Sequence, residues 1–596
     1  MNTSPLAGQT DLVSATLLIN GNTLPDTYQL VSVTTRREVN RIGSARVVLN
    51  DGDPSQETFA LSESSLLVPG AKVEIQFGYH QKMNTVFKGL IVKHSIRVRE
   101  RGAAQLILEC ADSAVNLTIG RKSAVYLKKT DQAVIQQLIG DAGLSATVDS
   151  TPVTYEELVR HNSSDWDFIL SRADLNGLLV VVNDSAVSVQ APAVSDSCGL
   201  VVRYGEALRT LDADIDARPQ VSEVSTMAWD ISSQATLSAS SSAPSVNAQG
   251  NLSGDTLAKV LNTGALQLMS NAPLEQADLK HWADARLLRI RLARIRGTVV
   301  FQGNALAVPG KTLELAGLGA RFNGDAFMAS VSHTLADGNW LTEVGFGLSP
   351  QGFVDTTQHI EAAPAAGQLP AISGLHTGTV MKIDSDPQGQ TRVQVKLALI
   401  DADSNGVWAR LGSPYASNSF GIQFMPEIND EVVVGFINND PRFPVILGSL
   451  YSSQHTPPAT PDNKNTLKSL VTRSQLKLTF DDEKKILTAS TPGGHQLVMS
   501  DDDKSILIKD SHGNQIKLDS NGIALSSPKD IKLTATGDIV TSSTGKTTLT
   551  ATQDLKASGL NVEATAQIGA KLAGSATAEL SASGQTTVKG AIVMIN

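Results

Sequence analysis

DIKLTATG DIVTSSTG KTTLTATQ DLKASGL NVEATAQI GAKLAGSA TAELSASG QTTVKGAI VMIN, residues 530–596, is a run of octads interrupted by one seven-residue unit. Its fourth position reads Leu533, Thr541, Leu549, Ala557, Ala564, Leu572, Leu580 and Val588. A short fixed period with Gly closing several units marks stacked β-structure, whereas a disordered tail has no reason to keep register. Thr, Ser and Gly supply too little apolar bulk for each unit to bury a core alone, so burial has to come from neighbours. A single-chain coil takes roughly 18 to 24 residues per turn, which leaves room for only about three coils. Three parallel chains, each giving one octad per layer, instead make a prism about eight layers tall with no open strand edge. The expectation is a trimeric β-prism whose interior takes Leu533, Leu549, Leu572, Leu580 and Val588.

Upstream of the octads the composition changes. Aromatics are 4% of the 596 residues, and none follows Phe480, so a boundary separates cores with large side chains from a region of small and β-branched ones. The length suggests roughly three to five domains. A net charge of −10 argues against a nucleic-acid partner, since phosphate binding needs concentrated Lys and Arg. Cys110 and Cys198 are too far apart for a metal-ligand pattern and read as buried thiols. The N-terminus has no basic stretch followed by an apolar run, so synthesis in the cytoplasm without a signal peptide is expected.

From Ala15 to about Leu117 alternating segments such as KVEIQFGYH and AAQLILECAD predict an antiparallel β-barrel, taken as residues 1–120. An α/β insert, 121–200, follows, with Val134, Ile135, Leu138 and Ile139 on one helix face. In HNSSDWDFILSRADLNG a second helix is predicted, with Ser164 as N-cap, Asp165 and Asp167 in the first turn, and Gly177 as the stop. His161, Ser164 and Asp167 have the look of a catalytic group, but capping accounts for the Ser and Asp. A second barrel with a helix occupies 201–360. There SSQATLSASSSAPSVNAQGN is expected to be a loop, and the arginines of LKHWADARLLRIRLARIRG spread around their helix rather than forming a nucleic-acid stripe.

A linker at 364–370 leads to a small barrel, 371–455. Its most specific stretch is SFGIQFMPEINDEVVVGFINNDPRFPVILGSLYSS, with Phe424, Pro426, Glu431, the turn Asp440, Pro441 and Arg442, then Gly448 and Tyr451. Few exposed aromatic or basic side chains are expected there, so a connector suits it better than a nucleic-acid binder. Residues 466–596 form the last region. It begins with turn units about ten residues apart, whose Asp481, Asp482 and Asp501 to Asp503 lack the staggered oxygens of a calcium loop.

The words SDWDFILSRADLNG, RIRGTVVFQGNALAVPGKTLELAGLG and GNWLTEVGFG resemble the phage late-control D hub family and the N-terminal part of VgrG spike proteins, over roughly residues 1–355. The stretch 419–453 resembles the OB-fold signature of the same VgrG-like spikes of contractile injection systems. The resemblance implies a mainly β chain: two hub barrels with a small α/β insert, an OB-fold barrel, and a C-terminal intertwined triple-stranded β-helix. It further implies a homotrimer meeting an Hcp-like inner tube protein and baseplate components, possible effector cargo, and transient contact with a target membrane as a phage tail-like particle contracts. Some phage needles carry iron at the tip on closely spaced His residues. Here the last is His512, so the resemblance implies a separate PAAR-type tip protein on Ile592, Met594 and Asn596. No cofactor or metal is expected, and no enzymatic activity. The competing readings are a phage-type tail fibre or adhesin, which would carry a globular head with exposed aromatics, and a spike with cell-wall-degrading activity. The latter is disfavoured because no enzyme-sized segment lies between Tyr451 and the next strand pattern or beyond the octads.

Overall fold

The computed structural model describes residues 2–8, 10–25, 27–358 and 360–595. The chain forms two compact units, Met1–Leu450 and Tyr451–Asn596.

In the first unit the alternation of apolar and polar residues does what it predicts. Along Lys72–Tyr79, Val73, Ile75 and Phe77 turn inward and are buried, while Lys72 and Glu74 face out. Six principal strands, Val13–Ile19, Leu30–Glu38, Ser44–Asn50, Lys72–Tyr79, Lys82–Arg97 and Gln105–Ala111, pair antiparallel around one core. A second set, Leu208–Ile215, Ile295–Gln302, Thr312–Ala316, Gly324–Ala336 and Asn339–Phe346, surrounds another.

The long strand Gly324–Ala336 fuses the two sets into one sheet. Its first part pairs with Thr312–Ala316, with Leu315 opposite Gly324, and its second part pairs with Leu30–Glu38, from Ser330 opposite Glu38 to Ala336 opposite Ser32. Trp340, contributed by the second set, is buried in the first core, edge-on to Phe77 (5.5 Å) and stacked on Tyr79 (5.3 Å). Gly303 permits this: a Cβ there would lie 2.1 Å from the indole.

The insert packs helices Asp131–Asp141 and Asp165–Leu175 against Leu179–Asn183 and Ala186–Gln190. Ser164 Oγ accepts from the Asp167 N–H at 3.0 Å, and Gly177 leaves the helix at φ +68°. Val134, Ile135, Leu138 and Ile139 are all buried.

The Ser/Ala-rich passage is not a loop throughout. Ala235–Ser240 pairs antiparallel with Val224–Asp230, which pairs in parallel with Leu266–Ser270. This sheet lies on the helix Gln276–Leu292, where Ala228 and Ala239 meet Leu279. The sequence hides the strand because Leu237 is its one bulky inward residue, and the helix supplies the bulk that Ala239 lacks. The helix arginines are spent on neighbours: Arg286 pairs with Asp355, Arg289 with Asp174, and Arg291 with Asp255 at 2.6 Å.

The closed five-stranded barrel runs in the order His376–Lys382, Val393–Lys396, Val407–Leu411, Pro444–Ser449, Glu431–Phe436. Val380, Val393, Val395, Ala409, Val432, Val434 and Ile446 fill it. The first hairpin is closed by Asp386, which accepts from the Gln388 and Gln390 N–H groups and pairs with Arg392 at 2.6 Å.

In the second unit seven five-residue strands make an antiparallel meander: Leu467–Val471, Lys477–Asp481, Ile486–Ser490, Gln496–Ser500, Ser505–Lys509, Gln515–Asp519 and Gly522–Ser526. From 527 to 595 no described residue lies in a strand.

Candidate functional site

The Asp440–Arg442 turn of the small barrel is a self-contained structural device. Asp440 is buried, and its Oδ1 accepts from the Arg442 N–H at 2.9 Å while the guanidinium closes on both carboxylate oxygens at 2.7–3.2 Å. That guanidinium holds the Asp440 carboxyl below its ordinary value. Arg442 Nη2 also donates to Gln368 Oε1 at 3.0 Å, and Ile372 N–H donates to Asn439 O at 2.9 Å, so the turn clamps the incoming linker. Glu431 starts its strand and its carbonyl accepts from Leu450 N–H. Gly448 lies opposite Val433, Pro426 is buried, and Pro441 lines a small cavity. Phe424 and Tyr451 are exposed. The signature residues are therefore not one site: Asp440 and Arg442 build the turn, and the aromatics point outward.

An extended apolar surface lies open in the meander. Register places Leu470, Leu478, Ala489, Leu497, Ile508, Ile516 and Leu525 side by side, one per strand. Two residues along each strand, on the same face, a second row runs Lys468, Phe480, Leu487, Met499, Ile506, Leu518, Ile523. The opposite face is mixed, carrying Thr479, Thr488, Gln496, Ser505 and Lys517 alongside Ile486, Val498 and Leu507. Yet the apolar rows are uncovered in one chain, with Leu497 and Ile508 at 42% and 48% exposure, and the first row lines a concavity of about 880 Å³ together with Ile531. An apolar face of this extent on a sheet marks an interface. The sequence held the signal, alternation in seven segments, but which residues share a row follows only from register.

In the octads the chain bends at 528–529, 536–537, 544–545, 552–553, 560, 567–568, 575–576, 583–584 and 591–592. The steps are eight residues long, with one of seven where the sequence loses a residue. Among the described residues no backbone–backbone hydrogen bond forms within 530–595, and Gly545 N–H donates only to Ser543 Oγ. A single-chain solenoid would pair its own coils, and this segment does not. Leu533, Leu549, Leu572, Leu580 and Val588 are exposed in the single chain, as are Ile592 and Met594; Asn596 lies outside the described residues.

His161, Ser164 and Asp167 do not assemble into reactive geometry: Ser164 is occupied as a cap and His161 lies exposed on the strand Thr154–Ser163. Both cysteines are buried free thiols, and burial pushes Cys110 up to about 12. Among the described residues no cluster of His, Cys, Asp or Glu suits a metal, and no helix is long and apolar enough to cross a membrane.

Comparison with known proteins divides the chain in three. A family described as the Alg8 N-terminal domain matches residues 9–337, over half of the chain. The type VI secretion system/phage-baseplate injector OB domain matches 376–451, and the phage baseplate V C-terminal trimerisation domain matches 485–596. Among curated proteins, the type VI secretion system spike protein VgrG1a of Pseudomonas aeruginosa is 25% identical over 151 residues, covering 24% of this chain and 23% of the relative. VgrG5 of the same organism is 31% identical over 140 residues, covering 22% and 15%. The actin cross-linking toxin VgrG1 of Vibrio cholerae is 30% identical over 129 residues, covering 19% and 12%. The chain thus spans less than a quarter of the length of these relatives. A solved E. coli component of the type VI secretion system, c3393, covers 73% of this chain and 99% of its own at 12% identity and a TM-score of 0.35, a likeness too weak to argue from.

Proposed function

The chain belongs to the Alg8 N-terminal domain family through residues 9–337 and, by its injector OB domain and baseplate V trimerisation domain, is a VgrG-like spike protein; from that premise we propose that three copies form the central spike of a contractile injection apparatus. The observation that supports this most is the second unit, whose two apolar rows and unpaired octad backbone have no partner within one chain. Three meanders set with their rows toward a threefold axis bury them, each half-exposed Leu or Ile contributing about 1 kcal/mol. Three octad segments wound together pair their backbone between chains, with Leu533, Leu549, Leu572, Leu580 and Val588 inward.

The activity that follows is mechanical. A rod whose backbone groups are paired between chains resists buckling and unfolding when a contracting sheath drives it into a target membrane. The hub docks on an Hcp-like inner tube and the baseplate, and a PAAR-type tip protein seats on Ile592, Met594 and Asn596. Carriage of effector cargo is compatible with this role. Export in this reading occurs through the apparatus itself.

Sedimentation of the full chain tests the reading, with an expected mass of three times 62.9 kDa; a monomer overturns it. A chain truncated after Gly584 is expected to stay trimeric and to lose capture of a PAAR-type tip protein. Capture at the full level would remove the tip assignment alone.

A further inference from the structure

The OB barrel carries an excursion that its own fold does not use. The strand Val407–Leu411 leaves the barrel and the chain returns only at Glu431. Between them Ile422 N–H donates to Tyr415 O and Ser417 N–H to Phe420 O, both at 2.9 Å, and Ala416 bridges Gly421, so 415–422 is a two-legged arm. Ser413 Oγ, donating to Ile422 O at 2.8 Å, pins its base. Gly421, at φ +148°, is required by closeness: a Cβ would sit 2.5 Å from Tyr415 O. Its tip, Ser417 to Ser419, is polar and exposed, but its legs also expose Tyr415, Phe420, Ile422 and Phe424, with Phe420 at 60% and its ring 5.8 Å from that of Tyr415.

The same barrel offers a place for such a side chain. A cavity of about 210 Å³, lined by Ile372, Leu397, Ile400, Val407, Phe436 and Pro441, opens beside the connection that follows Val393–Lys396. No arm residue lines it. One chain therefore displays an apolar knob and an apolar hole and joins neither to the other. A knob and a hole at different places on one domain make a head-to-tail contact, and such contacts close into a ring when copies are related by rotation. The trimerisation domain, matched from residue 485, begins soon after the barrel ends at Ser449, and so short a tether holds neighbouring barrels at about millimolar effective concentration.

We infer that the arm of each OB barrel crosses to a neighbouring copy and seats Phe420 in the Ile400–Val407–Pro441 cavity, belting the three barrels together independently of the needle. This rests on the trimeric reading above. It adds a second interface to the assembly and gives the exposed Phe424 and Ile422 a role as the flanks of that contact.

Crosslinking in the full chain tests it. Phe420→Cys combined with Ile400→Cys, treated with a short bis-maleimide, is expected to give covalent dimers and closed trimers on a denaturing gel, while either single variant stays at monomer mass. Cys110 and Cys198 are buried and leave the background low. In the same preparation Phe420→Cys is expected to label with a mono-maleimide more slowly than Gln388→Cys, an exposed position of the barrel's first hairpin that does not line the cavity. A double variant that sediments as a trimer yet yields only monomer bands, or an internal link, overturns the arm contact and leaves the trimer standing. Free labelling of Phe420→Cys in the trimer does the same. Sedimentation as a monomer overturns both.

Discussion

The hub and the needle region spend the same chemical currency in opposite ways. In residues 13–346 the apolar half of each strand turns into a core that one chain completes, and Val33, Leu49, Ile75, Phe77 and Phe301 are fully enclosed. In residues 467–526 the alternation is just as regular, and its apolar half stays open along both rows. The difference is closure. The hub strands form one continuous sheet that wraps two cores, with Gly324–Ala336 handing over between them, whereas the meander is a single open sheet whose apolar rows are left uncovered by the described residues of its own chain. In the proposed trimer the first half completes its cores within one chain and the second half completes its own between copies.

That contrast is breakable, most severely at the open face. Leu497→Asp with Ile508→Asp, partners across one strand pair, places two carboxylates in the proposed dry interface and is expected to cost several kcal/mol per charge, enough to abolish the trimer. Sedimentation should fall threefold in mass while the hub's thermal transition stays in place. A variant that remained trimeric would mean that the rows do not face one another. Within the hub, Trp340→Ala should cost about 3–5 kcal/mol in denaturant unfolding with no change in assembled mass, because the cavity it leaves lies inside one chain.

Acid sharpens the comparison further. His333 is buried beside Trp340, its Nδ1 2.9 Å from Thr342 Oγ1, and burial, helped by Arg37, pushes it down to about 3 from 6.5. The unfolded state therefore takes up the proton first. The stabilisation is complete above the unfolded value and is lost as pH falls from 6.5 toward 3. Hub unfolding midpoints should drop through this window, and His333→Gln should flatten the first part of the fall, between about pH 6.5 and 5, before carboxylates titrate. The smallest effect is expected at Ser164→Ala, about 1 kcal/mol from one lost cap, read by hub denaturation alone.

How much of this could be read beforehand varies with the distance over which each signal acts. Ser164 and Gly177 announce a helix's two ends within a dozen residues, because caps and left-handed stops are local. The octad spacing likewise reappears as bends at the same period, the seven-residue step included. The strand Ala235–Ser240 is hard to read because Ser and Ala around a single Leu237 make no hydrophobic pattern, and Ala239 packs in a cluster with Leu279, some forty residues away. The OB signature was recognisable as a pattern, but nothing in it separates Asp440, which builds a turn, from Phe424, which points outward.

The sequence by itself determined the periodicities: strands of period two in the hub and meander, octads beyond Asp530, and the small side chains that keep the octads from closing on themselves. These are local consequences of which residues favour extended backbone and which turn it. Tertiary structure alone decided that Trp340 serves the neighbouring barrel, that seven separate segments align their apolar residues into two continuous rows, and that the OB arm and the cavity beside it remain apart within one chain. Each depends on register or on contact between residues far apart in sequence, and a one-residue shift would turn the same rows to the opposite face.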